Sequence, residues 1–322
     1  MQIKRQSPRF VALAVVAGFL AGCEPAPSPE ATVPPPAARA VPVAPDVPVV
    51  AQPSAASRDM AAFYARLQTQ MLTQNLLRSD GGGADTPFTD TMLARNFMQI
   101  ALTTEYADNS DFRIQQGSQT TLHRWEKPIR MNVSFSDTVP FAQRDQDRTS
   151  VSAFAARLSR LSNVQIRQTD QNPNFHVLFL DEDDRRGAAA RLRALVPDIS
   201  EATLRGITTL PRDQLCLVAA VFEPGRSSYA QAVVVIRAEH PNLIRAACIH
   251  EELAQAMGLA NDSDAARPSI FNDSDEFALL TRHDEYLLRI LYDPRLQTGM
   301  DPATATPIAR QIARDLLATG SS

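Results

Sequence analysis

Histidine and cysteine are scarce in this chain, with five of the first and three of the second among 322 residues. Any metal or thiol chemistry is confined to a few positions that can be named. Cationic residues are not in excess: 32 Lys and Arg stand against 36 Asp and Glu, a net charge of −4. No Lys/Arg block interleaved with aromatics occurs, so the footprint of a nucleic-acid binder is missing and that partner class is set aside. What is abundant is apolar surface. With 44% hydrophobic and 21% charged residues, the chain can bury a sizeable core, which excludes wholesale disorder.

The N-terminus reads as an address. Lys4, Arg5 and Arg9 precede the uncharged stretch from Phe10 to Gly22, which is too short to span a hydrocarbon core of about 30 Å and has the layout of a signal peptide over 1–22. Leu20-Ala21-Gly22-Cys23 resembles the lipobox of bacterial lipoproteins. That resemblance implies cleavage before Cys23, lipid on its thiol and a membrane anchor without a transmembrane helix. Ten prolines lie between Glu24 and Pro53, a composition that favours extended polyproline conformations, so 23–56 is expected to be a spacer. The expected location is the bacterial cell envelope, facing the periplasm.

Met60, Phe63, Tyr64, Leu67, Met71, Leu72 and Leu76 recur at three- and four-residue steps and predict a helix over 57–78. Met92, Leu93, Phe97, Ile100 and Ala101 predict another over 89–106, and the two are expected to pack as a helical hairpin within 57–110. Beyond it, 111–322 reads as one domain. Alternating Ile129, Met131, Val133 and Phe135 mark a strand over 125–135, with further strands over 164–166, 175–180, 217–222 and 229–236, the last two forming a hairpin. Helices are expected over 150–161, 186–195, 242–259, 284–292 and 302–318. Strands and helices intermixed, then helices alone, give an α+β (mixed α/β) fold class.

The informative stretch runs from Cys248 to Asp262. In one register His250-Glu251 opens a His-Glu-x-x-His zinc motif, but Ala254 fills the second ligand position and has no donor atom. Shifted by one residue, the stretch overlays the metzincin pattern H-E-x-x-H-x-x-G-x-x-H. Glu252 then takes the catalytic position, Gly258 the helix-ending glycine, and Glu251, Gln255 and Asn261 stand where the three histidines belong. Pro268-Ser269-Ile270-Phe271 is similar to the Met-turn, and Leu280 to Asp284 with Leu287, Ile290, Leu291 and Tyr292 is similar to the closing helix of matrixin-like domains. The same residues, with Arg124-Trp125, Asn272-Asp273 and Asp293-Pro294-Arg295, resemble a bacterial lipoprotein family known as domain of unknown function 2927 (DUF2927). These resemblances imply a zincin-like fold, with a mixed sheet and a central motif-bearing helix. They bring no known activity.

Ile244, Cys248, Glu251, Gln255 and Gly258 fall on one helical stripe, so Glu251 and Gln255 continue a face that should be buried. A carboxylate with two amides is a poor zinc set, because zinc prefers imidazole and thiolate. A hydrogen-bonded knot of Glu251, Gln255 and Asn261 is therefore expected in place of a metal, and no cofactor. Glu252 reads as a solvated or Arg245-paired residue; in the alternative, a divergent metal-dependent peptidase, it is the general base. That alternative draws ligands from Glu251, His250 or a distant histidine, His283 or His240, and each of these histidines otherwise reads as structural. His123 and His176 carry no signal. Cys216 and Cys248 remain once Cys23 is lipidated, and export to an oxidising compartment favours a bridge between them. The expected function is a non-catalytic binding or scaffolding module. Its partner is an extended peptide or envelope protein added along a strand at Tyr229–Ile236.

Overall fold

The structure is a computed structural model that describes residues 50–106 and 114–319. The expected signal peptide, Cys23 and the expected spacer before residue 50 lie outside the described residues, as does the boundary expected at 110/111. In order, the described chain forms α1 (Ala55–Thr73), α2 (Asp90–Ala101), β1 (Thr103–Tyr106), β2 (Ile114–Gln119), β3 (Ile129–Phe135), α3 (Phe141–Ser162), β4 (Ile166–Gln168) and β5 (Phe175–Leu180). Then follow α4 (Glu182–Arg186), α5 (Ala189–Leu195), α6 (Glu201–Thr208), β6 (Cys216–Phe222), β7 (Tyr229–Arg237), α7 (Asn242–Gln255), α8 (Arg282–Leu291) and α9 (Pro302–Thr319).

Five strands form one mixed sheet in the order β4-β3-β5-β7-β6, beside a two-stranded sheet of β1 and β2. β3, β4, β5 and β7 run parallel, and β6 alone is antiparallel to its neighbour β7. The mixed α+β class expected from the sequence is the one observed. β5 sits at the centre and is buried at every position, as a parallel strand covered on both faces must be. Successive side chains point to opposite faces. Phe175, Val177 and Phe179 therefore join Met131, Val133, Val234 and Ile236 in the larger core against α3, α7 and α8. Leu178 and Leu180 join Val233 and Val235 in a second core under α5 and α6.

Three expectations are corrected by this arrangement. The hairpin of the first two helices does not form: α1 packs on α4, whereas α2 packs on α8 and α9. Each apolar stripe finds a later element instead of its neighbour. α1 is fixed at the start of the motif helix, where Gln68 Oε1 accepts the N–H groups of Leu243 and Ile244 at 3.1 and 3.2 Å. The second helix stops at Ala101, and Thr103 to Tyr106, rich in β-branched and aromatic residues, pairs as a strand with β2. Finally, β7 lies between β5 and β6. It is an inner strand, so Tyr229–Ile236 has no free edge to offer a peptide. α6 was not anticipated; Ser200 caps it by accepting the Thr203 N–H at 3.0 Å.

The expected bridge is present: Cys216, at the start of β6, is joined to Cys248 in α7 across a sequence separation of 32. Closing a loop of that length removes freedom from the unfolded chain equivalent to about 3.5 kcal/mol. Cys248→Ala should lower the unfolding free energy in urea by about 3.5 kcal/mol, and a loss under ~1 kcal/mol would contradict the cross-link as a constraint on the unfolded state.

Candidate functional site

Helix α7 starts after Pro241 and ends earlier than its apolar pattern suggests, at Gln255. The reason is Gly258, with φ +117, where a Cβ would lie 2.2 Å from the carbonyl oxygen of His123. No other residue tolerates both the backbone angle and the approach. The segment that presses on this turn is held on every side. Trp125 Nε1 donates to Ala256 O at 2.8 Å, Tyr292 Oη donates to Met257 O at 2.9 Å, and the Arg124 guanidinium donates to Leu291 O and Leu296 O at 2.6 and 2.8 Å. Arg124 thus satisfies carbonyls left over at the end of α8.

The acidic pair on α7 is placed the other way round from expectation. Glu252 is buried, with 4% of its surface exposed, and Glu251 is half-buried. α3, β6 and β7 all pack on α7, and Cys216 at the start of β6 lies within 4.8 Å of the Glu252 carboxylate. Arg245 is not the partner of Glu252: it donates to Asp147 of α3 at 2.6 Å, to His240 O at 2.5 Å and to Asn242 Oδ1 at 2.9 Å. Burial pushes the Asp147 carboxyl up, against the pull of Arg245.

Gln255 and Asn261 are both buried, and both reach Asp262. The Gln255 amide donates to Asp262 Oδ1 at 3.2 Å, while Asn261 Nδ2 donates to Asp262 O at 2.8 Å, Gln99 O at 2.9 Å and Thr103 Oγ1 at 2.8 Å. Asn261 also fastens the loop after α7 to the junction of α2 and β1. Glu251 lies toward a different neighbour: among the described residues, carboxylate oxygens of Glu251 and Glu252 and the Cys216 sulfur lie within 4.8 Å of one another. Of the knot expected through Glu251, Gln255 and Asn261, the last two are drawn together through Asp262. The side chain of Gln255 is long enough to cross to the loop, and the chain reversal at Gly258 brings that loop alongside.

The histidines proposed as extra ligands are held by different neighbours. His250 Nδ1 accepts the Leu280 N–H at 3.0 Å, and its ring stacks on Phe154 with centroids 4.0 Å apart. His283 sits 3.0 Å from Asn96 Nδ2 on α2. His240 lies 2.8 Å from Leu215 O and edge-on to Tyr64. Burial, reinforced by Arg157, brings His250 down to about 3; burial, with Arg237 and Arg245, brings His240 down to about 3.

Two features escaped the sequence reading. Asp284 is the hub beneath the buried turn that follows the cis Arg267–Pro268 bond. It accepts from Ser269 Oγ at 2.6 Å, Ile270 N at 3.1 Å, Thr281 N at 2.9 Å and Thr281 Oγ1 at 2.8 Å. The signal for it was Thr281-x-x-Asp284 ahead of an apolar run, a capping box. The second is a cavity of about 460 Å³ at the carboxyl ends of β3, β5 and β7, lined in part by Thr138, Gln143, Asp181 and Glu239. Only the pairing order of the strands reveals it.

Residues 90–311 match the model of a family described as Protein of unknown function (DUF2927), and the chain belongs to that family. No curated protein matches the chain. No solved structure does either.

His240 and His250 stay neutral in the fold down to about 3, whereas an unfolded histidine takes up its proton near 6.5. Between those values the unfolded chain binds the protons, so stability falls as the pH falls, by about 1.4 kcal/mol per pH unit for each histidine. Urea titrations from pH 6 to 4.5 should show this decline, and His250→Asn should take away one histidine's share of the slope. An unchanged slope in that variant would contradict a buried, neutral His250.

Proposed function

We propose that this member of the DUF2927 family is a lipid-anchored cell-envelope protein that binds an extended peptide along strand β6 and performs no chemistry on it. The observation that carries the reading is the contrast between the two edges of the sheet. β4 is three residues long and carries Arg167 and Gln168, features that discourage further pairing. β6 is seven residues of Cys-Leu-Val-Ala-Ala-Val-Phe, without charge or proline, and Phe222 at its end is 43% exposed. Among the described residues its outer side pairs with no strand. An apolar edge that pairs with no strand among the described residues is a template for another strand, and strand addition supplies main-chain affinity with alternate side chains read for specificity. The occupant that fits is an uncharged, β-branched segment lacking proline.

The metzincin resemblance supports the same edge, because in zincins the substrate lies along an edge strand above the motif helix. A binding role without catalysis is supported by how the altered positions are used. Gln255 and Asn261 spend their amide nitrogens on the fold, and the Cys216 sulfur beside the two glutamates is already bonded to Cys248. The anchor is supported by Lys4, Arg5 and Arg9, the apolar stretch after them, and Leu20-Ala21-Gly22-Cys23.

A seven-residue Val/Thr-rich peptide should bind the purified full-length chain in fluorescence anisotropy, and Ala219→Lys should weaken it at least about tenfold by adding the charge that guarded edges carry. Equal binding by the variant would move the site elsewhere. Cys23→Ser should shift the protein from the membrane to the aqueous fraction. Retention of the variant in the membrane would contradict the lipid anchor.

A further inference from the structure

We infer that opening the Cys216–Cys248 bridge converts this corner of the fold into a zinc site made by Cys216, Cys248, Glu251 and Glu252. Cys248, Glu251 and Glu252 are at i, i+3 and i+4 on α7, a spacing that sets three side chains on one face of a helix. Cys216 at the start of the edge strand faces them, since its sulfur is bonded to that of Cys248. The Cys216 sulfur and one carboxylate oxygen from each glutamate already lie within 4.8 Å of one another, a spread that modest side-chain rotation closes onto an ion with metal–ligand bonds of about 2.0–2.3 Å. Cys216 and Glu252 are buried and Glu251 is half-buried. The site is thus sheltered on the helix side and reachable past Glu251.

The donor set suits the ion. Two thiolates and two carboxylates make four ligands of the kinds zinc takes in tetrahedral sites, and the soft sulfurs select it over calcium or magnesium. All four donors are anionic when they ligate, the charge a dication takes.

In the bridged chain the sulfurs are spent on each other and neither is a thiolate ligand. A dithiol reductant supplies two electrons and two protons: the S–S bond breaks, two thiols form, and the reductant closes to its own disulfide. Zinc then binds the two sulfurs as their protons leave to solvent. The bridge is therefore a switch that withholds the site until it is reduced. This inference does not depend on peptide binding at β6 and survives its failure.

The test is zinc titration of the purified full-length chain by calorimetry, with and without a dithiol reductant that is itself corrected for zinc binding. The reduced chain should take up one zinc per chain at least about a hundredfold more tightly than the bridged chain. Cys248→Ser should bind zinc through the freed Cys216 without any reductant. Glu251→Gln and Glu252→Gln should each weaken binding in the reduced chain by about tenfold or more while both thiols are intact. Cobalt(II) added in place of zinc should show thiolate-to-metal absorption only after reduction. The inference is overturned if the reduced chain binds no zinc, if Cys216→Ser binds as tightly as the reduced parent, or if both glutamine variants keep full affinity. Loss of helical circular dichroism on reduction overturns it as well, since the site needs α7 and β6 in register.

Discussion

A single close approach organises the part of the molecule around α7: the α-carbon of Gly258 against the carbonyl of His123, where a Cβ would sit 2.2 Å from the oxygen. It ends α7 at a fixed place, and the chain reverses there. That reversal brings Asn261 to the end of α2, Asp262 to Gln255, and the buried turn at Ser269 to Asp284. Trp125 and Tyr292, donating to the carbonyls of Ala256 and Met257, lock the approach from both sides. The motif helix is thus rigid at its C-terminal end through hydrogen bonds and at its middle through the bridge to β6.

Rigidity of this kind is what a zinc ion commonly supplies when it clamps a helix to a following loop. Here the same mechanical task is performed by polar side chains and one covalent bond. Each of these groups has a physical cost that the fold meets locally. The buried amides of Gln255 and Asn261 need partners, and Asp262, Gln99 and Thr103 provide them. Burial keeps His240 and His250 neutral, and His240, His250 and His283 each have a bonding neighbour in the fold.

Much of the fold was legible because periodicity is a local property. The run Phe175–Leu180, apolar but for His176, and the stripe of Pro302–Thr319 stand almost where their patterns put them, and the Thr281 capping box marks α8. Edge identity was not legible. Cys216–Phe222 and Tyr229–Arg237 are both apolar and β-branched, and which of them lies inside depends on β5 pairing with β7, a contact between residues more than fifty positions apart. The exchange of roles between Glu251 and Glu252 has the same origin. A helical stripe says which residues share a face, and the elements packed on α7, among them α3, β6 and β7, decide which face is covered. Asp262 escaped notice because it stands one residue beyond the last position of the pattern, where no spacing rule points.

The two edges of the sheet differ in length, charge and exposure, and the central claim is that the bare one is the binding edge. Backbone amide hydrogen exchange measured residue by residue across 216–222, with and without a bound peptide, addresses it most directly. The account predicts that alternate amides of β6, those directed away from β7, exchange rapidly in the free chain and become protected on binding, while amides of β4 do not change. Protection of every β6 amide already in the free chain, or binding that leaves β6 unaltered, would contradict it.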